Sequence, residues 1–182
     1  MQDRKSAIVE AGLAVLREEG FGGFTQPRIA ARAGLRQSHL TYYFPTRTDL
    51  LAAVARAAID IQLARTDQML AGAPSDLTAN MTRSLTHHEN TRVLMGMAQA
   101  SDHEPAIREL FRELTAGILE RAGTLLESHD IPADPTSRDM IHALSVGLAV
   151  IDLATARPDG KARTGAVLDE TFALLRLRAQ GG

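Results

Sequence analysis

Cysteine is missing from this 182-residue chain. That excludes a disulfide scaffold, a cysteine zinc site and a thiol nucleophile. Tryptophan is missing too, and aromatics make up 4% of residues against 45% that are hydrophobic, so the core must be aliphatic. After residue 44 the only aromatics are Phe111 and Phe172, which leaves little to cage a flat cation. No apolar run approaches the ~18 residues of a membrane span, and the opening MQDRKSAIVE does not read as a signal peptide. The expectation is a soluble cytoplasmic protein with no membrane partner. No Gly-rich phosphate loop, Gly-x-Ser-x-Gly elbow or His-Glu-x-x-His helix is present. His87, His88 and Glu89, with Asp102, His103 and Glu104, come nearest to a metal cluster. Adjacent helical residues point about 100° apart, so His87 and His88 are badly placed to share one ion, and acids at a helix start serve its dipole. No catalytic residue, metal or cofactor is expected, and the chain does not read as an enzyme.

Acids are missing from one stretch in particular. The chain carries a net charge of -2, but residues 1–60 hold eight basic and six acidic side chains. That part is therefore +2 and the remainder -4. Within 25–47 there are four arginines and no acid. A small DNA-contacting module joined to an acidic partner domain would show this asymmetry; so would a chance cluster.

Apolar spacing is helical nearly throughout, and no stretch alternates like a strand. The predicted fold class is all-α, with about nine helices. The first covers about 3–19, and Gly20 is placed to end it in a left-handed conformation. Thr25 reads as an N-cap with Pro27 in the first turn, opening a short helix to about Ala33. Gly34 breaks that helix, and a third runs from about Arg36 to Phe44, stopped by Pro45. Thr46 caps a long fourth helix, which ends near the breaker AGAPS (71–75). Five more are predicted over about 76–88, 91–102, 105–128, 136–157 and 162–179, with a weak break around Asn90.

Two short helices joined at Gly34 have helix-turn-helix spacing. Ala30, Ala33 and Gly34 are small enough for a close crossing, which Leu35 and Leu40 would plug from inside. The third helix then shows Arg36, Gln37, Ser38, His39, Thr41 and Tyr42 outward. Gln pairs bidentately with adenine and Arg with guanine in the major groove. Ser, Thr, Tyr and His reach phosphates and fix register. A polar solvated face on a small bundle would look the same from spacing alone.

The segment FTQPRIAARAGLRQSHLTYYFPTRTDLL (24–51) resembles the DNA-binding signature of the TetR family of transcriptional repressors. The resemblance is carried by Thr25, Ile29-Ala30, Ala33-Gly34, Leu40, Tyr42-Tyr43-Phe44, Arg47 and Leu50-Leu51, over about 50 residues. It implies a helix-turn-helix DNA-binding domain over 1–45 and a larger helical ligand-binding and dimerisation domain over 46–182. It also puts Thr25, Gln37, Ser38, His39, Tyr42 and Arg47 at positions that touch DNA in relatives. Arg36, at the start of the recognition helix, and Thr41 complete the expected contact set. Thr41 stands where the family often has tyrosine.

The implied partners are double-stranded DNA carrying a palindromic operator, a second copy of the chain, and a small-molecule effector of unknown identity. The pocket candidates are Met81, Leu85, His88, Met95, Met97, Phe111, Leu114, Ile118 and His142, all at helical spacing and all equally suited to plain core. The last two helices are apolar on more than one face, more than a monomer core of this size needs. Leu144, Leu148, Ile151, Leu168, Phe172 and Leu175 are therefore the dimer-interface candidates. The other functional class left open is a helical module that docks a protein without reading DNA sequence.

Overall fold

The structure, a computed structural model, describes residues 3–72 and 77–180. Among these the regular elements are nine α-helices. Asp3 caps α1 (Arg4–Gly23), its carboxylate accepting from the Lys5 amide at 3.4 Å. The helix breaks at Gly20 as expected, but in an extended conformation (φ 70, ψ -167) rather than the left-handed helical one, a region open essentially to glycine alone. A further turn then carries the helix to Gly23.

The next two elements are α2 (Gln26–Arg32) and α3 (Gln37–Tyr43). Between them Gly34 sits at φ 67, where a Cβ would be strained. Its amide bonds the Ala31 carbonyl at 3.1 Å, and the Leu35 amide bonds Ala30 at 2.9 Å. This pair of bonds is the Schellman arrangement that satisfies the last carbonyls of a helix. Thr46 opens α4 (Arg47–Leu70) with a reciprocal capping box. The Thr46 amide donates to Asp49 Oδ2, and the Asp49 amide to Thr46 Oγ1, each at 3.0 Å. In the AGAPS breaker, Ala71 and Gly72 form a turn; residues 73–75 lie outside the described residues.

The remaining helices are α5 (Leu77–Leu85), α6 (His88–Ser101), α7 (Pro105–Glu127), α8 (Pro135–Thr155) and α9 (Gly160–Gln180). The break between α5 and α6 falls at Thr86 and His87, not around Asn90. The Thr86 hydroxyl turns back to the Thr82 carbonyl at 2.9 Å there. No described helix is long and apolar enough to cross a membrane.

Packing divides the chain into two compact units, one of residues 1–62 and 92–114, the other of 63–91 and 115–182. This grouping differs from the expected functional boundary at 45/46, because parts of α4, α6 and α7 pack in the same unit as α1–α3. In the first unit Ile8, Leu16, Ile29, Leu40, Leu50, Met97 and Ile107 are fully buried. Helices α1 and α4 meet at Gly12, where a Cβ would come within 2.6 Å of Val54 Cγ2.

In the second unit α5 packs on α8 and α9, which also pack on each other. Met81, Leu126, Ile141, Leu168, Phe172 and Leu175 share its core, and each such side chain contributes roughly 1.5–3 kcal/mol by leaving water. Asp134 caps α8, accepting from the Ser137 hydroxyl at 2.6 Å and its amide at 3.2 Å. Those bonds hold its carboxyl below the usual carboxylate range.

Candidate nucleic-acid interface

The first unit fixes α3 from several sides. Leu40 and Phe44 are buried, and Leu35 is half-buried. Gln26, at the start of α2, donates its side-chain amide to the Phe44 carbonyl at the end of α3, at 3.2 Å. Tyr43 is half-buried and meets Tyr42 edge-on at 5.2 Å. Tyr43 and Phe44 thus pack, while Tyr42 is 81% exposed.

The outward face of α3 has unspent polar groups. Arg36, Gln37, Ser38 and His39 are exposed, and their side chains make no hydrogen bond to the described chain. Thr25 occupies the N-cap position of α2 without a side-chain cap bond, so its hydroxyl is likewise available. The structure therefore brings Thr25, Arg36, Gln37, Ser38, His39 and Tyr42 to the solvent surface of one module.

Two members of the expected set behave differently. Thr41 is half-buried, and its hydroxyl donates to the Gln37 and Ser38 carbonyls at 3.2 and 3.1 Å. Its proton is committed within the helix, which leaves the methyl and the oxygen's acceptor capacity, but no donor for a phosphate, as what it can offer. Arg47 donates its Nε to the Phe24 carbonyl at 3.1 Å, with its guanidinium 4.5 Å from the Phe21 ring centroid. A cation over an aromatic face is attracted by the ring quadrupole. Arg47 is thus a brace between the start of α4 and the α1–α2 connection, whatever else it touches.

The acid-free stretch is less basic than it looks. Arg28 pairs with Glu19, and Arg32 forks onto both oxygens of Glu18, with one bond at 2.6 Å. The Arg32 hydrogen bond holds the Glu18 carboxyl below its ordinary value. Among the described residues Arg36, on the turn before α3, makes no ion pair. The adjacent acids at the end of α1, matched to arginines four apart on α2, were the sequence signal for this pairing.

The pocket candidates divide between the two units. Met95, Met97, Phe111 and Leu114 belong to the first; Met81, Leu85, His88, Ile118 and His142 belong to the second. Met97 and Met81 are buried core, whereas Met95 is 45% exposed, so these three fit a pocket lining poorly. His88 Nε2 meets the buried Asp152 carboxylate at 2.8 Å. His142 is half-buried, and that burial pulls its pKa below the ordinary 6.5 against the opposing charge of Asp139.

Half of the dimer-interface set is displaced. Leu168, Phe172 and Leu175 are buried in the second unit's own core, so they are not available to a partner. The large apolar residues that α9 turns outward are Val167, Leu174 and Leu177. On α8, Ile151 is exposed, Leu144 is half-buried, and Leu148 packs against the core. Periodicity marks the apolar positions of both helices, but two apolar faces on one helix do not say which turns inward.

Residues 8–54 match the family model for bacterial regulatory proteins of the tetR family. Over 61 residues the chain is 41% identical to the HTH-type transcriptional regulator RutR of Escherichia coli strain K12. That match covers 34% of this chain and 29% of the relative, so the chain spans under a third of the curated relative's length. Among solved structures, a transcriptional regulator from Rhodococcus sp. Rha1 is similar with a TM-score of 0.79. Its identity is 19%, over 94% of this chain and 95% of that one. A putative transcriptional regulator from Saccharomonospora viridis, solved in complex with choline, gives a TM-score of 0.73. Its identity is 18%, over 91% and 93% of the two chains. At these identities the shared property is the fold.

Proposed function

We propose, on the premise that the chain belongs to the tetR family of bacterial regulatory proteins, that it is a transcriptional repressor. It binds a near-palindromic operator as a homodimer and is released by a small-molecule effector. The observation that carries the reading is the exposed N-cap and first turn of α3. Four consecutive exposed residues, Arg36 to His39, have polar groups unspent within the described chain. Their helix is pinned at both ends by the Gly34 turn and the Gln26–Phe44 bond.

In this reading Arg36 and Gln37 read base edges. Ser38, His39, Tyr42 and Thr25 fix register on the phosphates. A two-fold dimer sets its recognition helices about 34–36 Å apart, one turn of the duplex, or a multiple of that. Effector binding among the helices beyond α4 favours one arrangement of that helix, which also contributes residues to the DNA-reading unit. The effector shifts the balance only by its differential affinity for the two arrangements.

The test is binding to the DNA upstream of the chain's own gene, at two salt concentrations. A regulator gives tight, steeply salt-dependent binding to a palindrome there. Gln37→Ala should then lose about 1–3 kcal/mol on that site and little on random DNA. Equal loss on both would remove Gln37 as a reader. Weak, sequence-blind binding would instead favour a helical module that docks a protein.

A further inference from the structure

Two arginines of the second unit are held by neutral side-chain amides rather than by carboxylates. Arg56 faces Glu113, and Arg121 faces Asp67. Arg65 instead donates to the Asn90 side-chain carbonyl at 2.6 Å, and Arg83 to that of Asn80 at 3.1 Å. Among the described residues neither makes an ion pair. A neutral amide orients a guanidinium without cancelling its charge, and keeps its own NH2 as a further donor.

Both arginines line one cleft of about 460 Å³, where the end of α4 meets α5 and the start of α6. Asn80, Asn90, Ser84 and His87 line it with them, and no aspartate or glutamate is among its described lining residues. The Ser84 hydroxyl and the His87 ring have no hydrogen-bond partner within the described chain, whereas nearby Thr86 bonds back to its own helix. Two uncompensated guanidinium forks, a partnerless imidazole and hydroxyl, and a volume suited to a small molecule therefore converge.

We propose that this cleft binds a small oxyanion-bearing molecule, of the phosphate-ester or polycarboxylate class. Guanidinium forks match the two-oxygen geometry shared by phosphate and carboxylate. The asparagines hold those forks ready, and Ser84 and His87 supply the remaining hydrogen bonds. The inference concerns binding alone and stands or falls independently of whether the chain reads DNA.

The experiment is calorimetric titration of the full chain at fixed ionic strength, with inorganic pyrophosphate and citrate as separate probes. Saturable one-site binding of either supports the cleft, and the preferred probe identifies the class. The paired substitution Arg65→Gln with Arg83→Gln should weaken that binding at least tenfold. Arg157→Gln, which removes a pair with Asp159 elsewhere in the unit, should leave it unchanged. Should the paired variant fold poorly, Ser84→Asp keeps both arginines and sets an acid beside them, and it too should weaken binding at least tenfold. Dissociation constants above about 1 mM for both probes, or equal effects of all the variants, would overturn the proposal. So would a paired variant that loses random-sequence duplex binding but keeps the probe.

Discussion

Thr41 lies on α3, the helix proposed to read DNA, yet its hydroxyl proton is already spent on the Gln37 and Ser38 carbonyls. Its neighbours Gln37 and Ser38 have made no such commitment. Removing the hydroxyl while keeping the shape should therefore matter little. Thr41→Val is expected to change operator affinity by less than about 0.5 kcal/mol, the range of an uninvolved surface change, in a titration where Gln37→Ala shows its larger loss. A Thr41→Val loss as large as that of Gln37→Ala would mean that the hydroxyl turns outward on DNA. Spacing alone located the outward face of α3, because helical period is written in the sequence. Which outward residue keeps its polar atoms free is a matter of rotamer, and neighbours distant in sequence decide much of that. Arg28 makes the same point: it is exposed by period but neutralised by Glu19 from another helix.

Helix boundaries were legible because their chemistry is local. Thr46 with Asp49, Asp134 with Ser137, and Gly34 each close a helix end within a few residues of themselves. The α5–α6 break falls at Thr86 and His87, before the Asn90 position that spacing predicts, since no glycine or proline marks it. Gly34 is the residue on which the chain turns into α3. An L side chain in its left-handed conformation costs roughly 1–2 kcal/mol. Gly34→Ala should lose about that much in urea unfolding and weaken operator binding with it. Gly22, exposed and with nothing near its missing Cβ, is the control, and Gly22→Ala should be neutral or stabilising by up to about 1 kcal/mol. Equal stability of the two variants would show that the Gly34 turn relaxes freely. On α8, burial holds the folded pKa of His142 below its ordinary 6.5. The unfolded chain then binds more protons, so stability is full above the unfolded value and falls as pH drops from there toward the folded one. The urea midpoint should decline across that window, and His142→Leu should flatten the decline; an unchanged slope would remove His142 as its source.

At the scale of the whole molecule, the second unit has more apolar surface than it buries. Leu168, Phe172 and Leu175 repeat at helical spacing and fill its core. Leu174 and Leu177 on the same helix stay 57% and 64% exposed, and Ile151 on α8 is 59% exposed. Neighbouring positions such as 174 and 175 point about 100° apart, so one substitution at each separates assembly from folding. Leu174→Glu sets a charge on the outward stripe, and for the proposed homodimer it should shift sedimentation from dimer to monomer while the helical signal persists. Leu175→Glu buries a carboxylate in the core, which costs several kcal/mol, and should unfold the unit outright. Because the proposed dimer would be stabilised by mass action, the wild-type melting temperature should rise with protein concentration, and that of Leu174→Glu should not. If Leu174→Glu still sediments as a dimer, the copies meet elsewhere. The spacing of two reading helices on one operator would then have to be set by another face.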